Sequence, residues 1–228
     1  MSLIAILREK PWEAVHNPQS QHANRKYIQQ AGLRVILVVI SVLFFLFIVA
    51  FLMRSQYPDW QPLAEQVNHP LFDRDQLWLN TLYLVLASVG IQLAKLYSKS
   101  SHSISFKITL FLSGVFSSAF IVGQMTFWSS LQTQGFMVNT NPALSFFYLL
   151  TGLHMAHVGV GIATWLLAVL FMTKKASANN RVKLQRYVAL CATYWHYLLG
   201  LWAVLFVLLV SKPETYNAIV EFCGLGVQ

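Results

Sequence analysis

Between residues 76 and 213 the chain carries no Asp or Glu, and charged residues of either sign make up only 11% of its 228 residues. A soluble domain averages roughly 25%. Together with a hydrophobic share of 56%, that scarcity excludes an ordinary soluble domain and makes the chain an integral membrane protein. The missing carboxylates also count against a proton relay or a proton-coupled carrier, whose intramembrane steps run through ionisable side chains. Cysteine is nearly absent too. Cys191 stands inside an apolar run and Cys223 near the C-terminus, an arrangement that does not suit a disulfide and contains no Cys-x-x-Cys site. No Walker loop, dinucleotide fingerprint or nucleophile-and-base pattern occurs, and no internal repeat of the kind built into many transporters. The expectation is a chain with no catalytic residue and no active site of its own. Its first 30 residues mix Arg8, Glu9, Lys10 and Pro11 with polar residues and lack the apolar core of a cleavable signal peptide, so the first apolar run is expected to act as the insertion signal.

What the sequence does contain is long apolar runs. Leu33 to Met53, Trp78 to Tyr97, Ile108 to Leu131, Ala143 to Met172 and Tyr187 to Val210 each reach the ~20 residues that a bilayer-spanning helix requires. These predict an all-α integral membrane bundle of five transmembrane helices. Residues 1–32 read as a cytoplasmic N-terminal segment, 33–211 as the bundle and 212–228 as an external C-terminal tail. Leu3, Ile4, Ile6 and Leu7 near the start admit a short interfacial helix, with a loose tail as the plainer reading. Bases fall in alternate connections. The N-terminal segment has Arg8, Lys10, Arg25, Lys26 and Arg34, the second connection Lys95, Lys99 and Lys107, and the fourth Lys174, Lys175, Arg181, Lys183 and Arg186. The positive-inside rule then sets the N-terminus in the cytoplasm and the C-terminus outside. Because those bases never gather into one groove-lining patch, the formal charge of +8 does not indicate nucleic acid. The connection from Arg54 to Leu77, with Pro58, Pro62 and Pro70, reads as an ordered loop.

Phe146 to Gly161, reading FFYLLTGLHMAHVGVG, places His154 and His157 three residues apart inside a membrane-spanning stretch. At about 100° per residue, Gly152, Ala156, Gly159 and Ala163 share one stripe and the histidines lie roughly opposite. Small residues let another helix approach closely, so this span is expected to be central and packed on two faces. In the fifth span Ala189, Ala192, Thr193, His196, Gly200 and Ala203 line one face, with Tyr194, Leu198 and Leu205 on the other. His154 and His196 both fall near mid-membrane at about 1.5 Å per residue, where they could meet. Ser113, Gly114, Ser117, Gln124 and Trp128 form a polar and small stripe on the third span. Three readings of the histidines stay open: hydrogen bonds between helices or to a lipid headgroup, ligation of a haem or metal, and a proton relay.

FFYLLTGLHMAHVGVG resembles a signature of subunit III of the haem-copper respiratory oxidases, and Tyr194, Trp195, His196 and Tyr197 resemble a second. Gln124 with Trp128 is similar to a third, weaker one, and Trp78-Leu79-Asn80-Thr81 to the start of the family's helix in that place. The resemblance runs in order from Trp78 to about Val210 and fits the short five-helix bacterial form. The family usually has an acidic residue where Phe127 stands, an Asp where Leu199 stands and often a Glu in the first helix, while Met155 replaces a common Gly.

The resemblance implies a non-catalytic, cofactor-free accessory subunit of a bacterial terminal oxidase in aerobic respiration, lying in the inner membrane. Its partner would be the catalytic subunit I, which holds the haems and copper, and phospholipid would bind in a cleft between its helices. Carried over by position, His154, His157, Gln124, Trp128, Trp195 and His196 are the residues expected to hold the bundle or line that cleft. Two other assignments remain: a companion of a nitric oxide reductase of the same fold, and a stand-alone bis-histidine haem protein. A small transporter is a further class.

Overall fold

The computed structural model describes residues 18–61, 74–98, 103–173, 178–211 and 213–222. They form six helices: α1 (Pro18–Arg54), α2 (Arg74–Tyr97), α3 (Ser103–Thr133), α4 (Pro142–Thr173), α5 (Ala178–Val210) and α6 (Pro213–Phe222). Five contain segments long and apolar enough to cross a membrane: Tyr27–Arg54, Asp75–Tyr97, Ile104–Thr133, Pro142–Met172 and Val182–Val210. Among the described residues there is no strand. A bilayer offers the backbone no hydrogen-bond partner, so a lone spanning segment closes its bonds on itself as a helix. The five-helix membrane bundle read from the sequence is the observed fold. The helices outrun the apolar runs that announced them, most of all α1, whose helical backbone begins at Pro18. Residues 1–17 lie outside the described set, as does Cys223.

Local chemistry sets the helix ends. Gly135 adopts φ +88°, the Phe136 N–H reaches the Leu131 carbonyl at 3.1 Å and the Gly135 N–H that of Gln132 at 3.0 Å. This left-handed glycine closes the end of α3. Asn141 then starts α4: its Oδ1 accepts from the Ala143 N–H at 3.0 Å and Pro142 occupies the first helical position. Asn141 Nδ2 also donates to the Gln61 carbonyl at 2.8 Å, which fastens the first part of the connection after α1 to the start of α4.

Leu37–Gln228 is one compact unit. Within it α2, α3, α4 and α5 form a closed ring in which α2 packs on α3, α3 on α4, α4 on α5 and α5 back on α2. Glycines set the approach at three of these contacts. A Cβ added at Gly90 would lie 3.1 Å from the Ser113 Cβ, one at Gly161 would lie 3.1 Å from the Trp195 ring, and one at Gly114 would fall inside the ring of Trp165. Trp165 is held there because its Nε1–H donates to the Leu110 carbonyl at 2.8 Å. Such close packing replaces the hydrophobic drive that helices lack in lipid. From Leu37 to Arg54, α1 also meets helices of this ring. It reaches them with long side chains: Ser41 Oγ to Tyr197 OH at 2.9 Å, and Phe51 edge-on to Phe146 with ring centres 5.8 Å apart.

One expectation about α4 is overturned. Ala156 and Ala163 are exposed and nothing stands over Gly159, so among the described residues the small stripe receives no other helix except at Gly152, where the Trp128 ring rests. The ring is closed through the histidine side of α4. The segment read from the sequence as a tail contains α6, whose Val220 is buried, an element with too few residues to stand out as a sequence signal.

Gly114 and Gly159 therefore give a paired test. Gly114→Ala, which drives a methyl into Trp165, should destabilise the chain by about 1–3 kcal/mol, the usual cost of overpacking. Gly159→Ala should leave the detergent melting midpoint unchanged or slightly higher, because open space takes the methyl and Ala favours helix.

Candidate functional site

His154 sits wholly inside the four-helix ring, fully buried. Phe120 meets it edge-on with ring centres 5.8 Å apart, and Trp202 lies against it at 5.1 Å. Among the described residues neither of its ring nitrogens has a hydrogen-bond partner. The Trp202 Nε1–H donates to Thr81 Oγ1 at 3.0 Å, which fixes the indole that covers the imidazole. Gln124, also fully buried, accepts from Asn80 Nδ2 through Oε1 at 3.2 Å. Its own Nε2 is without a partner. Trp128, one turn further along α3, covers Gly152 and meets Tyr148 edge-on at 5.4 Å.

His157 points elsewhere. Its Nδ1–H donates to the Leu153 carbonyl at 2.7 Å, and its ring lies 5.5 Å from that of Phe44 on α1. Tyr194 OH donates to the His157 carbonyl at 3.0 Å and Trp195 is buried against Gly161, so the second motif holds α5 to the first. His196 emerges on the outer surface of the ring. Nδ1 meets Ser88 Oγ on α2, and Nε2 lies 3.2 Å from Gln92 Oε1. Nδ1 therefore accepts from the hydroxyl and Nε2–H donates to the amide oxygen.

The six residues read from the sequence thus fall in three places. His154, Gln124 and Trp128 lie in the ring, His157 beside α1, and His196 with Trp195 along α5. The expectation that His154 and His196 meet is overturned: one is inside the ring beneath Trp202, the other outside it against α2. A single haem cannot take both as axial ligands. Among the described residues no three His, Cys, Asp or Glu side chains gather as metal ligands. What the arrangement does chemically is hold helices at fixed depth. The partners that sequence reasoning missed are Thr81, Ser88, Gln92 and Trp202. Ser88 and Gln92, one turn apart in an apolar span, were the available signal.

No family model matches the chain. Comparison with characterised proteins finds similarity to the cytochrome c oxidase subunit 3 of Thermostichus vulcanus, 29% identical over 179 residues that make up 78% of this chain and 84% of that protein. The cytochrome c oxidase subunit 3 of Synechocystis sp. is 24% identical over 198 residues, 86% of this chain and 81% of the relative. The cytochrome bo(3) ubiquinol oxidase subunit 3 of Pseudomonas putida is 26% identical over 141 residues, 60% of this chain and 65% of the relative. These names agree with the resemblance carried by the motifs. With five membrane-crossing helices and bacterial respiratory relatives, the chain is a multi-pass protein of the bacterial inner membrane.

A buried polar atom without a partner costs about 1–3 kcal/mol, which makes His154 a direct probe. His154→Leu should leave the melting midpoint of the purified chain unchanged or raised. His154→Ala, which opens a cavity under Trp202, should lower stability by about 2–4 kcal/mol. A large loss for the Leu variant would mean that the ring nitrogens hold something the helices alone do not supply.

Proposed function

We propose that this chain, a divergent relative of haem-copper oxidase subunit III, is the non-catalytic accessory subunit of a bacterial terminal oxidase and packs on the catalytic subunit to stabilise it. One observation carries the reading: the motif residues His154, Gln124 and Trp195 are buried between helices, with Trp128 half-buried against Gly152 and Tyr148. Their common work is to lock α3, α4 and α5 together. In this reading haem and copper reside in the partner, and respiration is the property of the complex. The basic connections keep the N-terminus in the cytoplasm and the C-terminus outside.

Phospholipid occupies the seam between α1 and the pair α4–α5. Support comes from the side chains that meet there, Ser41 with Tyr197 and Phe44 with His157, which set hydroxyl and imidazole groups beside apolar rings. The hydroxyl pair and the half-buried imidazole give that seam polar contacts at depth, where lipid tails offer none.

Mass-spectrometric identification of what co-purifies with the tagged chain from native membranes in mild detergent tests the assignment. Recovery with a many-helix haem-copper subunit is expected; recovery alone, or with an unrelated complex, would overturn it. His154→Ala should lower the yield of assembled complex while leaving the visible haem spectrum of the remainder unchanged. Loss of a haem band from the complex that still assembles would contradict a cofactor-free role.

A further inference from the structure

α5 turns outward a row spaced three and four residues apart: Thr193, His196, Gly200, Ala203 and Val207, all exposed. A Cβ added at Gly200 would meet nothing within 4 Å. Alternating steps of three and four mark a helix seam that receives another helix at a shallow crossing angle, and Gly200 and Ala203 leave room for close approach. Hydrocarbon would accept small residues equally well. It does not account for the polar part of the same surface. His196, at the middle of its span, is exposed although it is bonded to Ser88 and Gln92, and an ionisable group facing lipid is unfavourable.

The charges carry the same direction. Lys95 lies one turn beyond Gln92 on α2, and Arg186 precedes Thr193 by seven residues on α5, so both bases stand at the same end of this surface. Among the described residues neither has a carboxylate partner, and residues 76–213 contain no acid to supply one. The complement of this surface is a helix with an acidic group at one end and large apolar side chains further along. We propose that the α2–α5 seam docks a transmembrane helix of the neighbouring oxidase chain. Its carboxylate sits opposite Lys95 and Arg186 at the cytoplasmic end, and its apolar side chains fill the space over Gly200 and Ala203. This rests on the reading of the chain as an oxidase subunit and names the surface that reading leaves unspecified.

The full-length tagged chain in native membranes provides the test. Gly200→Trp should leave the melting of the purified chain unchanged, since the indole enters open space. It should cut recovery of oxidase chains by about 5- to 150-fold, because overpacking a contact by about 1–3 kcal/mol scales affinity by that factor. Lys95→Glu should also cut recovery, and Val160→Trp on the exposed face of α4 should not. A benzophenone side chain in place of Ala203 should cross-link to a polypeptide. Failure of the wild-type chain to recover any oxidase chain would overturn the functional reading itself. Normal recovery with wild type and Gly200→Trp alike, or benzophenone adducts to lipid alone, would overturn only the seam.

Discussion

Inside a bilayer no water competes for a hydrogen bond, so every polar atom in these helices must find its partner on the protein or go without. The ring α2–α5 follows from that constraint. Asn80 answers Gln124, Thr81 answers Trp202, Ser88 and Gln92 answer His196, and the Leu110 carbonyl answers Trp165. Each pair crosses from one helix to another, so each fixes depth and rotation together. Glycine makes the geometry possible, because Gly90, Gly114 and Gly161 bring the backbones close enough for short side chains to meet. From Leu37 on, α1 is linked to the ring by one hydroxyl pair and a few aromatic edges.

The spans were legible because twenty consecutive apolar residues have one physical use. The faces were only half legible. Periodicity gives angles around a helix, but it does not say which angle meets protein and which meets lipid, since both are apolar. Ser113, Ser117 and Gln124 face inward as their polarity requires. Gly152, Ala156, Gly159 and Ala163 promised a helix contact, yet the chain supplies only Trp128, because small residues suit a contact without compelling one. His154 and His196 share a depth, and depth carries no azimuth. Their separation is set by Trp202 and by Ser88, whose positions no local spacing reveals.

His154 is where this economy of partners fails. Both nitrogens are buried and unanswered, and Gln124 Nε2 shares the condition one helical turn away from Phe120, which touches the imidazole. Removing them would cost the fold little by hydrogen bonding, so the ring shape and its contact with Trp202 are what the core uses. His196 shows the opposite balance. Both its nitrogens are answered, by Ser88 and Gln92, and its exposure remains.

The position where the family resemblance implies an acid bears on the same question. Phe127 is buried among Leu77, Leu131, Leu144 and Phe147, with the Phe147 ring centre 5.9 Å away. Among the described residues that cluster has no cationic side chain to pair with a charge, and an isolated ionised carboxylate there would be driven to its neutral form or would break the packing. The α3–α4 contact near Gly135 joins aromatic packing to one polar link, Tyr148 OH donating to the Phe136 carbonyl at 3.0 Å. In the role proposed for this chain, shape and the few polar groups on its surface are what it would offer a partner.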